Sequence, residues 1–329
     1  SNKKINQKNI MFDRKINILN DIKCLFKFYF YIINFSPRAV ISFTPKAGLI
    51  SAITSFLSFT KIRLHYFTGQ IWAKQNKRID KLLMLLDKLI SILSTNILCD
   101  SFSQKNFLVK NNIVNISKID VIHNGSIKGV NLNFFNYKPL IRKKIRDILS
   151  LSNEDKILLI VSRLNKDKGI LNLPSIINPV FKKFNNLFVL IIGKDEENLN
   201  YFLSSKLKIR NRIKFLKYTK NISHYLIASD LLLITSLREG FGNIALEASA
   251  CKLPIVSNNI YGLDDVVIDN YNGLKYNDNQ QATKNIIKYL SNKKLREKNG
   301  INGRKLAIAN YDSKLVIKKF TEYIDKLNV

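Results

Sequence analysis

The chain has 329 residues, enough for roughly two domains at about 150 residues each. Apolar residues make up 46% and charged residues 24%, and only 12 glycines and 6 prolines occur. A disordered tail, a collagen-like rod and long flexible linkers are therefore excluded. Lysine and arginine number 54 against 24 acids, a formal charge of +30, which attracts polyanions such as nucleic acid, anionic headgroups or diphosphates.

The basic residues are spread along the chain among many asparagines and isoleucines, as expected of an AT-rich coding sequence. They form no RGG tract, arginine-rich arm or zinc-finger spacing, so charge by itself supports no nucleic-acid partner. Cys24, Cys99 and Cys251 are odd in number and far apart, which fits free thiols in a reducing compartment. With only His65, His123 and His224 as histidines, a His-rich metal centre is not expected. No signal-peptide pattern is visible. The most apolar stretch, LFKFYFYIINF over 25–35, carries Lys27 and is shorter than the roughly 18 residues of a membrane span. A soluble or membrane-surface protein is expected, in the cytoplasm or at the inner face of its membrane.

Short apolar runs alternate with amphipathic stretches, the rhythm of doubly wound α/β folds. In the first half AVISFT (39–44) reads as a strand, 46–57 as a helix and KIRLHYFT (61–68) as a strand. A helix over 80–93, a strand at NILCDS (96–101), a helix over 104–111 and a strand at KIDVIH (118–123) follow. The wider helical segment 77–93 has an apolar stripe with basic flanks, which serves either core packing or a membrane-surface contact. An Asn124–Gly125 turn signal precedes an aperiodic stretch, and the domain boundary is placed within 129–137. The second half has strands at 156–164, 187–193, 213–216, 230–236 and 253–258. Helices are expected from Gly169, over 243–250, from Gln280 onward and over 313–327.

Ligands of such sheets bind beyond the carboxyl ends of the strands. After the strand ending at Ser162 come Arg163 and Lys168. After the strand ending at Ser236 comes REGFGNIALEASAC, which opens into a helix and carries Glu239 and Glu247 with seven residues between them. The turn Gly240, Phe241, Gly242, Asn243 lets backbone approach a ligand closely, and the first amides of the next helix attract anions. Cations suit a diphosphate and carboxylates suit sugar hydroxyls, so the constellation points to a nucleotide-sugar. His65, in an apolar strand, reads either as a structural histidine or as a catalytic group.

These residues resemble a known family. SRLNKDKGI (162–170), SLREGFGNIALEASACKLPIVSN (236–258) and YGLDDVVIDNYNGLKY (261–276) are similar to the donor-binding half of retaining glycosyltransferase family 4, of GT-B fold. SFTPKAGLIS, HYFTGQIWA, DSFSQKNFL and IHNGSIKGVNL are similar to bacterial transferases that extend undecaprenyl-diphosphate-linked sugars. The resemblance runs from about Leu19 to the C-terminus.

It implies an α/β chain with two Rossmann-like domains facing across a cleft. An acceptor-side domain would cover 1–130, a nucleotide-sugar domain 131–312, and a terminal helix 313–329 would pack back on the first. The family pattern also implies that roughly 50 or 60 opening residues, with their strands, are missing before this stretch, and Lys217 stands where glycine is common. The implied reaction moves a sugar, an N-acetylhexosamine, from a UDP-sugar to a polyprenyl-diphosphate-linked saccharide with retention, in surface polysaccharide assembly. Arg163 and Lys168 would neutralise the diphosphate and Glu239 would hold sugar hydroxyls. Gly240, Phe241, Gly242, Asn243 and Ile244 would line the donor, and Glu247 would bind the ribose. His65 would contact donor sugar or phosphate, and Thr68, Gly69 and Gln70 would line the acceptor side. No metal or other cofactor is expected, and an anionic membrane is a further candidate partner. A UDP-binding remnant without activity and a charge-driven nucleic-acid binder remain as alternatives.

Overall fold

The computed structural model describes residues 10, 17–74, 78–207 and 210–327. They divide into two compact units. One holds the chain up to Asp100, then Lys105–Val121 and the segment from Glu322; the other holds Ser101–Gln104 and Ile122–Thr321.

The first unit is a parallel sheet in the order β1 (Ala39–Phe43), β2 (Ile62–Phe67), β3 (Asn96–Cys99), β4 (Ile119–Val121). Ser42 lies opposite His65 and Leu98 opposite Asp120 in its registers. The helices are α1 (Ile18–Phe35), α2 (Pro45–Leu57), α3 (Arg78–Leu93) and α4 (Phe102–Lys110), the last shared with the second unit. α2 starts on Pro45, whose fixed φ and missing N–H suit only a helix's first turn. The core gathers Phe67, Trp72, Ile90, Ile97, Leu108 and Ile119. The buried indole of Trp72 keeps its donor satisfied by bonding Asp87 Oδ2 at 2.7 Å.

The second unit begins with α5 (Pro139–Ile148), β5 (Lys156–Val161), α6 (Leu173–Lys183), β6 (Leu187–Ile192) and α7 (Leu199–Lys206). β7 (Ile213–Leu216), α8 (Ile222–Ala228), β8 (Leu231–Ile234), α9 (Asn243–Ala250), β9 (Ile255–Asn258) and β10 (Gly273–Tyr276) follow. α10 (Asn279–Ser291), α11 (Lys293–Asn310) and α12 (Ser313–Lys326) end the chain. The strands form a parallel sheet in the order β10-β9-β8-β5-β6-β7. Successive side chains of a strand point to opposite faces, and KILLIV of β5 is apolar on both. Ile157 and Leu159 join one core with Leu232 and Ala245, while Leu158 and Ile160 join another with Ile176 and Ile286. A sheet covered on both faces reads as unbroken apolar runs, which is why the strands were visible in the sequence and why the expected α/β class holds.

Several elements differ from the sequence expectations. The helix expected from Gly169 begins only at Leu173, after two single 3₁₀ turns. Gly169 has φ 64°, a left-handed conformation that cannot start a helix, and Pro174 suits a first turn. α5, α7, α8 and β10 were not foreseen; each is ten residues or shorter and holds little of a period. Arg146 on α5 is 1% exposed. Its guanidinium donates to the carbonyls of Ser152, Asp155 and Ala228 and to Asp230, so burial leaves no unmet donor to penalise it. Among the described residues, no helix is long and apolar enough to cross a membrane.

Candidate functional site

In the second unit the chain runs from β5 outward through β6 to β7, then returns to β8 on the other flank of β5. The loops leaving β5 and β8 therefore diverge, and open parallel sheets bind ligands in the crevice made at such a reversal. A cavity of ≈ 210 Å³ lies there, lined by the ends of both strands and by Ser162, Lys168, Thr235, Ser236, Glu239, Phe241, Asn243 and Ile244.

The β5 loop is held rigidly. Asn165 Oδ1 accepts from the Lys168 amide at 3.1 Å, and Thr235 Oγ1 donates to the Lys168 carbonyl at 2.7 Å. Asp167 takes the Leu237 amide on its carbonyl at 3.0 Å and Arg238 on its carboxylate at 2.6 Å. A Cβ on Gly169 would sit 2.0 Å from the Thr235 carbonyl oxygen, so only glycine lets the two loops meet. With its backbone fixed at both ends, Lys168 reaches Glu239 Oε1 at 2.5 Å, and both side chains are only 18% exposed.

The β8 loop leads into α9, whose N-cap Gly242 provides no side-chain cap. The helix therefore presents amides and the positive end of its dipole at the cavity. Phe241 is buried against Tyr311, with ring centroids 5.3 Å apart, and anchors the turn. Ser162 Oγ and Asn243 Oδ1 are buried with no hydrogen-bond partner among the described residues. Orphaned polar atoms are costly inside a protein unless something else meets them, and both belong to residues that line the cavity. Lys168 and the helix amides suit an anion; Glu239 and Asn243 Oδ1 suit hydroxyl donors.

A brace behind these loops was not foreseen. Ser101 Oγ accepts from the Gln104 amide at 3.1 Å, capping α4, and donates to the Gly240 carbonyl at 2.9 Å. Ser103 Oγ accepts from the Gly262 amide at 2.8 Å, and Asp265 accepts the Phe102 and Ser103 amides at 2.9 and 3.1 Å. The Ser-x-x-Gln spacing of a capping box was the available signal for the cap; nothing local pointed to Asp265.

Other sequence candidates lie outside this cavity. Arg163 pairs with Glu196 at 3.0 Å and is 49% exposed, and neither residue lines the cavity. Glu247, one turn into α9, pairs with Lys128 at 3.3 Å. Burial pushes its carboxyl above the ordinary range, and Lys128 pulls the other way. In the first unit His65 sits inside β2 at 1% exposure, its Nδ1 2.9 Å from Ser42 Oγ and its ring edge-on to Phe67 at 4.5 Å. Burial lowers its pKa to about 4, so it is neutral near pH 7 and acts only through hydrogen bonds there. Thr68 is exposed, Gly69 adopts φ 118° and Gln70 is 1% exposed. Among the described residues, no group of three or more His, Cys, Asp or Glu could hold a metal ion.

The family model described as "Glycosyl transferases group 1" matches residues 141–306 and so covers every residue lining the cavity. The chain is 28% identical over 308 residues to "Capsular polysaccharide biosynthesis glycosyltransferase CapM" of Staphylococcus aureus, covering 92% of this chain and 80% of that one. It is 25% identical over 269 residues to the Escherichia coli "UDP-Gal:alpha-D-GlcNAc-diphosphoundecaprenol alpha-1,3-galactosyltransferase", covering 79% and 67%. Among solved structures, Anabaena Alr3699/HepE in complex with UDP-glucose superposes with TM-score 0.80 at 19% identity, covering 92% of this chain and 82% of that one. This likeness shows the fold, which is of the GT-B type.

Proposed function

The chain belongs to the group 1 glycosyl transferases, and from that premise we propose that it transfers a sugar from a UDP-sugar to a lipid-linked saccharide, retaining the anomeric configuration, in polysaccharide assembly. The observation that carries this reading is the Lys168–Glu239 pair in the switch-point cavity, beside the uncapped start of α9. A cation and a carboxylate held together by their own loops offer complementary groups to a ligand with a diphosphate at one end and hydroxyls at the other.

On binding, Lys168 exchanges the Glu239 carboxylate for diphosphate oxygens, and Glu239 turns to accept from sugar hydroxyls. The amides at the start of α9 take the remaining phosphate charge. As the bond from the anomeric carbon to the phosphate oxygen breaks, negative charge grows on the diphosphate, where Lys168 and the helix dipole already point. The acceptor hydroxyl attacks on the face the phosphate leaves, and its proton passes to the departing phosphate oxygen. That route needs no carboxylate nucleophile and no metal ion.

The donor is proposed to be a UDP-N-acetylhexosamine and the acceptor a polyprenyl-diphosphate saccharide. The E. coli relative, whose name states a UDP-Gal donor and a GlcNAc-diphosphoundecaprenol acceptor, supports a UDP-linked donor and a polyprenyl-diphosphate acceptor, while the N-acetylhexosamine rests on the first-half motifs. Calorimetric titration with UDP and UDP-N-acetylhexosamines tests the donor half. Transfer of labelled sugar to a polyprenyl-diphosphate saccharide, with NMR of the new linkage, tests the rest. Saturable UDP binding weakened by Lys168→Ala is expected; a folded chain that binds no UDP at moderate salt would refute the proposal.

A further inference from the structure

α3 carries its side chains in an unusual arrangement. Asp80, Asp87 and Ser91 are buried beside Ile90, while Ile79, Leu82, Leu85, Leu89 and Ile92 are exposed by 36 to 63%. Leu82, Leu85, Leu89 and Ile92 follow one another at steps of three, four and three, which puts them on one face of a helix. Its inner face also packs on the core through Leu83, Met84 and Leu93. A helix that is apolar on both sides is normally buried on both, yet the outer side of α3 faces outward.

Among the described side chains of α3, the remaining exposed ones are Lys81 and Lys88, and no acid is exposed there. α1 repeats the composition. Ile18, Leu19, Ile22, Phe26, Phe30, Ile33 and Phe35 are exposed by 44 to 76%, and the charged residues exposed among them are Lys23 and Lys27. The acid of α1, Asp21, is turned to Lys46 at 2.8 Å. Both helices pack against α2, and Phe56 and Leu57 at the end of α2 are exposed as well.

We infer that the outer faces of α3 and α1 dock the protein on an anionic lipid surface, with the aliphatic and aromatic side chains entering the acyl boundary and the lysines engaging headgroups. Charge selects this occupant. A second copy of the chain on this face would set lysines against lysines across a two-fold contact, with +30 on each molecule. An anionic bilayer reverses that sign, and an apolar face with a lysine border is the form an interfacial helix takes. The inference goes beyond the donor reading and does not depend on the cavity.

Vesicle sedimentation tests it, using the whole chain with phosphatidylcholine vesicles that contain or lack phosphatidylglycerol. A chain this basic adheres to anionic vesicles by charge alone, so the variants decide. Leu82→Ser with Leu85→Ser leaves the charge unchanged, and it should weaken binding at least roughly tenfold, because a buried leucine is worth about a factor of ten or more. Lys81→Glu with Lys88→Glu should weaken it well beyond Lys182→Glu with Lys183→Glu, the same charge change at exposed positions of α6. Vesicle binding untouched by the serine pair, or equal losses from the two lysine pairs, overturns the inference. So does a dimer in sedimentation velocity that the serine pair dissociates. UDP titrations of the same preparations separate the two readings, since the surface variants should keep wild-type nucleotide affinity.

Discussion

Lys168→Ala, set beside Glu239→Gln, tests the exchange of partners on which the proposed donor site depends. Lys168 Nζ and Glu239 Oε1 are 2.5 Å apart, and each side chain is 18% exposed. Opposite charges about 4 Å apart near a protein surface attract by about 4 kcal/mol, so a diphosphate must compete with an established partner. A charge-assisted hydrogen bond contributes about 1.5–3 kcal/mol, and Lys168→Ala should therefore weaken UDP binding roughly 10- to 150-fold. Glu239→Gln removes the competitor for the same ammonium, so UDP alone should bind as tightly as to the wild type or more tightly. A UDP-sugar should lose whatever advantage it holds over UDP, because an amide is a weaker acceptor for its hydroxyls. The assay is calorimetric titration of both ligands into the wild type and both variants at one salt concentration, with melting curves to confirm folding. Equal loss of UDP affinity in the two variants would refute the exchange and leave the pair as a strut between loops. A Lys168→Ala chain within twofold of wild type would remove Lys168 from the diphosphate site altogether.

Gly169→Ala should destabilise the second unit by more than about 1 kcal/mol, read from urea unfolding, because its φ is 64° and the new Cβ would lie 2.0 Å from Thr235 O. His65 should titrate by NMR near pH 4 instead of the usual 6.5. A depressed folded pKa means that its stabilising contribution is complete above about pH 6.5 and is lost as pH falls through about 4. Glu247→Gln should stabilise the protein near neutral pH, where burial disfavours the carboxylate, and the gain should vanish as pH falls below the carboxyl's ordinary value of 4.5, where both forms are neutral. Chelation by EDTA should leave sugar transfer unchanged, since Lys168 and the α9 amides supply the positive charge in the proposed mechanism.

Much of this molecule was legible along the chain because its causes are local. Unbroken apolar runs such as KILLIV and LFVLII mark strands covered on both faces, and their alternation with amphipathic stretches marks a parallel α/β fold. Lys168, Glu239 and Asn243 could be singled out because strand-end loops and helix starts are where such sheets gather ligands, and Ile244 through the family resemblance. Short elements such as α8 and β10 hold little of a period, and α6 starts at Leu173 instead of Gly169 because Gly169 is left-handed and Pro174 takes the first turn.

What tertiary structure alone decided is which partner each charged or polar group meets. Arg163 and Lys168 are similar cations on one loop, yet Glu196 takes the first outside the cavity and Glu239 takes the second within it. Asp265, 162 residues from Ser103, braces a turn that no spacing connects to it. Arg146 is buried because four carbonyl and carboxylate oxygens from two stretches of chain, 152–155 and 228–230, converge on it. The apolar stripe of 77–93 was plain in the sequence, but its outward side was not, because a helix with leucines on both flanks carries no label for the side that the core will claim. Periodicity is a property of neighbours along the chain. Pairing and burial are properties of neighbours in space.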